Sequence, residues 1–330
     1  MFLDKYIGEN GVSTDYPVFS NQIYRDLFIQ SKDLFLSQFK NNKFNAADVI
    51  IKYLAVENYY GLNDFGFELY NKLQFYRINQ NWEKRFVNLI ESFEKGYNSD
   101  SIIDTDLNYS IHDGAHRLAL AIFHDIKELR IRLYNTNLYR REYGFDWIEP
   151  YFTSYELNMI INKYQELLNR CANPYYCILW PPSHKLFEEI RKKIPTLEND
   201  VFIVDSELIY LNSVNLKKFI YDVYRTDDIR LEKLNLKYEY MMNSIKKDTS
   251  FGELYPVYVM KIKMNNLDFR VKPLTGLPQS KTTMRIKTSI RDEYQRFIID
   301  YYYDIIMHMT DNNKQNEDVS KIINKVKERI

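Results

Sequence analysis

The amino-acid sequence predicts an α/β protein of two domains, and three observations carry that prediction. The chain has 330 residues, more than one average core accommodates, so about two domains are expected. Short apolar runs of strand character alternate with longer segments whose apolar residues recur at helical spacing, the pattern of an α/β layer structure. The pattern changes near residue 102 and again at Asn173-Pro174. An α+β N-terminal domain with extra helices is therefore expected over 1–150, and an α/β layered domain over 151–330.

The elements follow in order. Residues 21–39 read as an amphipathic helix. Asn45 caps a second helix running to about Tyr60, where Gly61 stops it. A third helix is expected over 65–76. Asn81 caps a fourth, with Trp82, Phe86, Leu89, Ile90 and Phe93 on one face and Lys95-Gly96 at its end. Two short strands at 102–103 and 109–112 flank a turn at Asp106-Leu107-Asn108. A helix over 115–123 and a strand over 129–134 complete a β-β-α-β unit. A polar connector rich in Tyr and Arg follows Asn135, then a helix over 154–168. In the second half, strands are expected at 175–180, 201–204, 257–264 and 303–308. Helices are expected at 183–193, capped by Ser183, and at 214–224, 229–245, 282–299 and 317–329. Residues 272–281 read as a loop.

Bulk composition bounds the function. Hydrophobic residues make up 45% and charged residues 27%, as in soluble globular proteins. Lys plus Arg number 45 and Asp plus Glu 45, so the formal net charge is zero. Duplex-DNA binders carry a basic excess, so the balance argues against nucleic acid as a partner. The two cysteines, Cys171 and Cys177, have neither metal nor redox spacing, which fits a reducing cytoplasm. Met1-Phe2-Leu3-Asp4-Lys5 does not begin a signal peptide, and no uncharged apolar run reaches the roughly 20 residues of a membrane helix. A soluble, uncleaved, cytoplasmic protein is expected; nothing in the sequence signals its oligomeric state.

Asp113-Gly114-Ala115-His116-Arg117 is the most informative segment. A strand ends at Asp113, Gly114 permits a tight turn, and a helix starts at once. The first N–H groups of a helix lack partners and carry the positive end of its dipole, so phosphate binds there readily. His116 and Arg117 would repel that end unless an anion arrives, and Arg117 can grip phosphate oxygens with two donors. The structural alternative makes Asp113 an N-cap, Gly114 a turn residue, and Arg117 the partner of Asp113 or a nearby acid.

The run Ile111-His112-Asp113-Gly114-Ala115-His116-Arg117-Leu118-Ala119-Leu120-Ala121 resembles the signature of the ParB/sulfiredoxin superfamily. There an apolar residue, Asp-Gly, a variable residue, His-Arg and small apolar residues mark a nucleotide-phosphate turn. Ile102-Ile103-Asp104 resembles the preceding strand of the family, and Ile126-Lys127-Glu128-Leu129-Arg130-Ile131 the following one. The resemblance implies nucleotide binding at Gly114, Ala115, His116 and Arg117, with ATP or ADP and Mg2+. Sulfiredoxins carry a nucleophilic Cys where this chain has Ala115, so their chemistry is not expected. ParB partition proteins add a helix-turn-helix reader and a more Arg-rich box, and the helices after Asn135 are not basic enough for one. Free-serine kinases of the same fold stay compatible; an acidic residue upstream serves them as general base. Here Glu57 and Asp113 are the candidates for that catalytic role, and Arg77, with Lys84 and Arg85, could hold an acidic substrate. The expected function is a nucleotide-dependent kinase of a small hydroxylated metabolite, such as an amino acid or sugar derivative. A ParB-like nucleic-acid-binding or nuclease protein and a non-catalytic nucleotide sensor are the alternatives.

The C-terminal half offers a second group. Lys272, Lys281, Arg285, Lys287 and Arg291 surround a helix start at Ser280-Lys281-Thr282-Thr283, with Lys281 and Arg285 on one face. Beyond the expected strand, His308, Asp311 and Asn312 could bind a metal, a phosphate or a sugar. This segment has a superficial likeness to a kinase catalytic loop, but its spacing differs and no Gly-rich loop accompanies it. Asp304 is expected to pair with Lys or Arg. Asp227, Asp228 and Lys237 are weaker candidates, and His184 is expected to be exposed.

Overall fold

The structure, a computed structural model, describes residues 6–7, 13–14, 23–40, 43–98, 100–134, 143–227, 229–248, 252–264, 267–272, 276–302 and 304–328. The chain is an α/β protein of two compact units, Met1–Leu168 and Asn169–Ile330. The division falls inside a helix, Ser154–Cys171, rather than after residue 150.

Unit 1 is built on a four-stranded mixed sheet. Its strands are β1 (Ile23–Gln30), β2 (Ile103–Asp106), β3 (Ile111–Asp113) and β4 (Glu128–Tyr134), in the order β1-β4-β2-β3. Strand β4 pairs antiparallel with β1 and parallel with β2, and β2 pairs antiparallel with β3. Helices α1 (Ser31–Leu36), α2 (Ala47–Tyr59), α3 (Gly66–Ile78), α4 (Glu83–Glu94) and α5 (Ala115–Phe123) accompany them. Every residue of α2 from Ala47 to Val56 is buried, so this helix is the centre of the unit and packs against both α3 and α5. Its one internal ion pair, Lys52 Nζ to Asp48 Oδ2 at 2.5 Å, is completely enclosed. The chain enters α3 at Gly66 because a Cβ there would lie 2.0 Å from the Leu54 carbonyl oxygen.

The expected helix over 21–39 is corrected. Residues 23–30 form the edge strand β1, and only Ser31–Leu36 is helical. Asp26 on β1 takes Arg132 Nε at 3.1 Å and Arg130 Nη2 at 3.3 Å from β4. Pairing with β4 therefore overrides a helical spacing that a short apolar segment satisfies equally well.

Unit 2 carries a four-stranded antiparallel sheet in the order β6-β7-β5-β10. Its strands are β5 (Tyr175–Leu179), β6 (Val201–Leu211), β7 (Tyr255–Met264) and β10 (Met307–Met309). A separate ribbon pairs β8 (Phe269–Val271) with β9 (Pro278–Ser280), so the expected loop over 272–281 ends in a strand. The helices are α7 (Phe187–Leu197), α8 (Ser213–Arg225), α9 (Leu231–Lys246), α10 (Lys281–Tyr294) and α11 (Asn313–Lys327); Ser154–Cys171 is α6. Strand β5 is buried along its whole length, and Trp180 beyond it donates from Nε1 to the Tyr224 hydroxyl at 2.8 Å.

Three expectations in this unit are adjusted. The strand begun at Val201 runs on to Leu211 past a register shift between Ile203 and Asp205. The polar Asp205-Ser206-Glu207 conceals its middle, although Asp205 pairs across to Lys261 at 3.0 Å. Ser183 does not cap α7. It lies in a 3-10 segment, and its hydroxyl donates to the Trp180 and Ile306 carbonyls. The last strand covers Met307–Met309 rather than 303–308, because Asp304 takes a left-handed φ of 56°. Among the described residues, no helix is long and apolar enough to cross a membrane.

Candidate functional site

In unit 1, β3 ends at Asp113 and α5 starts at Ala115, with Gly114 between them at φ 103°, ψ 13°. A Cβ at position 114 would sit 2.8 Å from Ile103 Cγ1, so the turn lies directly against β2 and accepts only glycine. No side chain caps α5. The first helical bond in this turn runs from Leu118 N to Gly114 O at 2.9 Å, and the N–H groups before it have no partner within the helix. Arg117 Nη1 donates to Ile102 O at 3.0 Å and lies 3.4 Å from Asp113 Oδ2. Its Nε and Nη2 make no bond among the described residues.

Asp104 lies opposite Asp113 in the β2–β3 pairing. Burial, followed by the Asp113 charge, raises the Asp104 carboxyl above its ordinary range, while Arg132 and the Tyr134 hydroxyl pull the other way. Two opposed carboxylates therefore flank the turn, with Arg117 beside them. Asp104 was not among the sequence candidates; the hairpin register around the turn at 106–108 is the signal that would have found it.

The other predicted residues of this unit behave differently. His116 keeps some exposure, but its ring turns away from the turn: Nε2 lies 3.0 Å from the Tyr70 hydroxyl, and the ring meets Phe86 edge-on at 4.6 Å. Burial, then the Lys52 and Arg77 charges, holds its pKa well below the ordinary value, so it is neutral and brings no charge to the turn. Ala115 is buried. Glu57 takes Lys163 Nζ at 2.8 Å and lies 3.4 Å from Asn63 Nδ2, an ion-paired position tying α2 to α6. Arg77 lies over the Tyr143 ring at 4.5 Å.

Unit 2 gathers a denser polar cluster where β10 leads into α11. Asn312 caps α11, accepting from Gln315 N at 2.9 Å, and its Nδ2 donates to Pro278 O at 2.8 Å. Both ends of its amide are thus structural. Asp311 is buried and accepts from Lys287 Nζ at 2.6 Å, Gln279 Nε2 at 3.0 Å and Thr283 Oγ1 at 3.1 Å. Burial would raise its pKa, but Lys287 and the hydrogen bonds outweigh burial and hold it below the ordinary value. His308 is buried in the middle of β10, with Nδ1 3.4 Å from Asp227 Oδ2. Gln315 Nε2 holds the other Asp227 oxygen at 2.6 Å. Burial lowers the His308 pKa to about 4 against the opposing pull of Asp227.

The basic residues divide by helix face. Thr283, Lys287 and Arg291, four residues apart on α10, turn toward the 307–311 segment: Arg291 Nη2 donates to Met307 O at 3.1 Å and Lys287 Nζ to Met309 O at 3.3 Å. Lys281 and Arg285 turn elsewhere, to Asp268 at 3.2 Å and to Glu198. The structure thus joins His308 and Asp311 with Asp227, Lys287 and Arg291, and not with Lys281 and Arg285. The i, i+4, i+8 spacing of Thr283, Lys287 and Arg291 was the available signal. Asp304 pairs with Arg291 Nη1 at 3.3 Å, as expected.

No family model, curated protein or solved structure matches the chain. Among the described residues, no group of three or more His, Cys, Asp and Glu is arranged to hold a metal ion.

Proposed function

We propose that the chain is a nucleotide-dependent phosphotransferase that uses ATP or ADP with Mg2+ and acts on a small hydroxylated metabolite, such as an amino acid or sugar derivative. Unit 1 is read here as a ParB/sulfiredoxin-like domain. One observation carries the reading: Gly114 is held left-handed with no room for a side chain, directly before an uncapped helix start with Arg117 in its first turn. Phosphate oxygens fit backbone donors in that arrangement. The exposed Asp113 carboxylate is a hard oxygen donor that suits Mg2+ beside a phosphate. The nucleotide supplies the phosphoryl group. The chain orients it through the helix start and Arg117 and accepts the hydroxyl proton on a carboxylate. Asp104, whose carboxyl is raised by burial and by the Asp113 charge, is the candidate for that proton, and Glu57 is held by Lys163.

Titrating the full chain with adenine and cytosine nucleotides plus MgCl2, read by thermal shift, tests the proposal. At least one nucleotide should stabilise the protein, and Arg117→Ala should weaken that binding about tenfold or more. Asp104→Asn should keep nucleotide binding and lose turnover. No shift with any of these nucleotides sinks the idea.

A further inference from the structure

Strand β6 ends the unit 2 sheet with a long, apolar edge. It is the terminal strand of the order β6-β7-β5-β10 and pairs with β7 from Val201 to Leu211. Among the described residues, its backbone makes no hydrogen bond beyond that ladder, so alternate N–H and C=O groups along its eleven residues face outward. The opposite edge, β10, is three residues long and buried throughout. Edge strands are kept from pairing by lysine, proline or short length. Strand β6 contains no lysine, arginine, proline or glycine, and Phe202, Val204, Leu208 and Tyr210 are each 45–53% exposed. Its two charged residues are taken up within the chain: Lys261 Nζ lies 3.0 Å from Asp205 Oδ2, and Lys327 pairs with Glu207.

The order of residues along this edge selects what covers it. Read outward from Ser206, the strand is a near palindrome: an acid on each side (Asp205, Glu207), then an aliphatic residue (Val204, Leu208), an isoleucine (Ile203, Ile209) and an aromatic ring (Phe202, Tyr210). An isologous contact requires self-complementarity of this kind, whereas an unrelated extended peptide does not. We propose that the chain forms a homodimer in which β6 pairs antiparallel with β6 of a second copy about a two-fold axis at Ser206, joining the two sheets into one. The register shift between Ile203 and Asp205 leaves Val204 outside the ladder, so the outer pairs move by one residue. Leu208 then faces Ile203 of the second copy, Ile209 faces Phe202, and Tyr210 faces Val201. Apolar meets apolar in each pair, and the register with β7 puts both members on the same face of the sheet. At the centre Asp205 faces Glu207 of the second copy. Like charges there would oppose pairing, and Lys261 and Lys327 neutralise them. The interface does not depend on what the Gly114 turn binds.

Sedimentation velocity of the full chain over about 1–200 µM should show a monomer–dimer equilibrium; one strand per copy is a small interface, so a dissociation constant of about 1–100 µM is expected. Leu208→Lys places a lysine on the edge and should raise that constant about tenfold or more. Phe297→Lys, at an exposed apolar position outside the sheet, should leave it unchanged. Ser206→Cys gives a second readout. Opposed Cα atoms in an antiparallel pair lie about 4.5–5.5 Å apart, within reach of a disulfide, and the native Cys171 and Cys177 are buried. Mild oxidation should therefore link Ser206→Cys into a covalent dimer and leave Leu62→Cys, exposed in unit 1, unlinked. The inference is overturned if the chain stays monomeric up to about 200 µM, if Leu208→Lys associates as the wild type does, or if Ser206→Cys links no faster than Leu62→Cys. Where Leu208→Lys does not fold, the wild-type equilibrium and the Ser206→Cys linkage decide.

Discussion

A single buried imidazole in unit 2, that of His308, adds its own pH dependence to stability. Burial lowers the His308 pKa from 6.5 to about 4, so between those values the unfolded chain takes up a proton that the folded chain refuses. Stability therefore falls as pH falls from 6.5 toward 4 and is unaffected by this group above 6.5. From pH 6.5 to pH 5 the loss for one such group is about 2 kcal/mol. Asp311 has the opposite chemistry: its carboxyl is lowered, so its own contribution is lost only below the ordinary carboxylate range. Urea denaturation of unit 2 at the two pH values should show that loss in the wild type and a much smaller one in His308→Gln. Equal losses in both proteins would mean that the imidazole is already protonated in the fold.

Helix α2 makes the corresponding argument at the scale of an element. It is buried from Ala47 to Val56, yet it includes Asp48 and Lys52 one turn apart, joined at 2.5 Å with both side chains fully enclosed. Removing one partner leaves a charge in the core, whereas replacing both with apolar residues of similar size is close to neutral. Lys52→Met should destabilise unit 1 by about 3–5 kcal/mol, and Asp48→Leu with Lys52→Met should recover most of that loss; denaturant midpoints with an unchanged m-value are the check. Local signals of this kind were legible. The Gly61 stop and the strand–Gly–helix turn at 113–117 both depend on residues close in sequence. Strand β1 was not legible, because its pairing with β4 lies about a hundred residues away and its own periodicity fits a helix too. The candidate sites divide in the same way. Gly114 and Asp113 were readable, but Glu57 became a structural ion pair through Lys163, 106 residues on. Asp227, a weak candidate in sequence, gained importance only when the fold set it beside His308.

At the scale of the whole chain, the division point is the feature that local reasoning placed differently. The polar connector after Asn135 favours a boundary near residue 150, whereas the change of pattern at Asn173-Pro174 falls just past helix α6, which continues unit 1 well beyond residue 150. Lys163 reaches back to Glu57 at 2.8 Å, Glu156 to Lys72 at 2.7 Å, and the Tyr164 ring lies 4.5 Å from Phe44. Phe44, Glu57 and Lys72 belong to β–α segments of unit 1, so α6 is part of that unit's packing rather than a linker. A fragment covering 1–150 would strip the cover from Phe44 and leave Glu57, 12% exposed in its side chain, without its cation. Losing one large aromatic contact and one largely buried ion pair costs about 3–6 kcal/mol, a large part of the stability of a domain this size. The fragment 1–171 should therefore fold with a cooperative thermal transition and a dispersed amide spectrum, and 1–150 should melt well below it or not fold at all. Matching melting curves for the two fragments would show that α6 adds nothing to unit 1 and would return the boundary to residue 150.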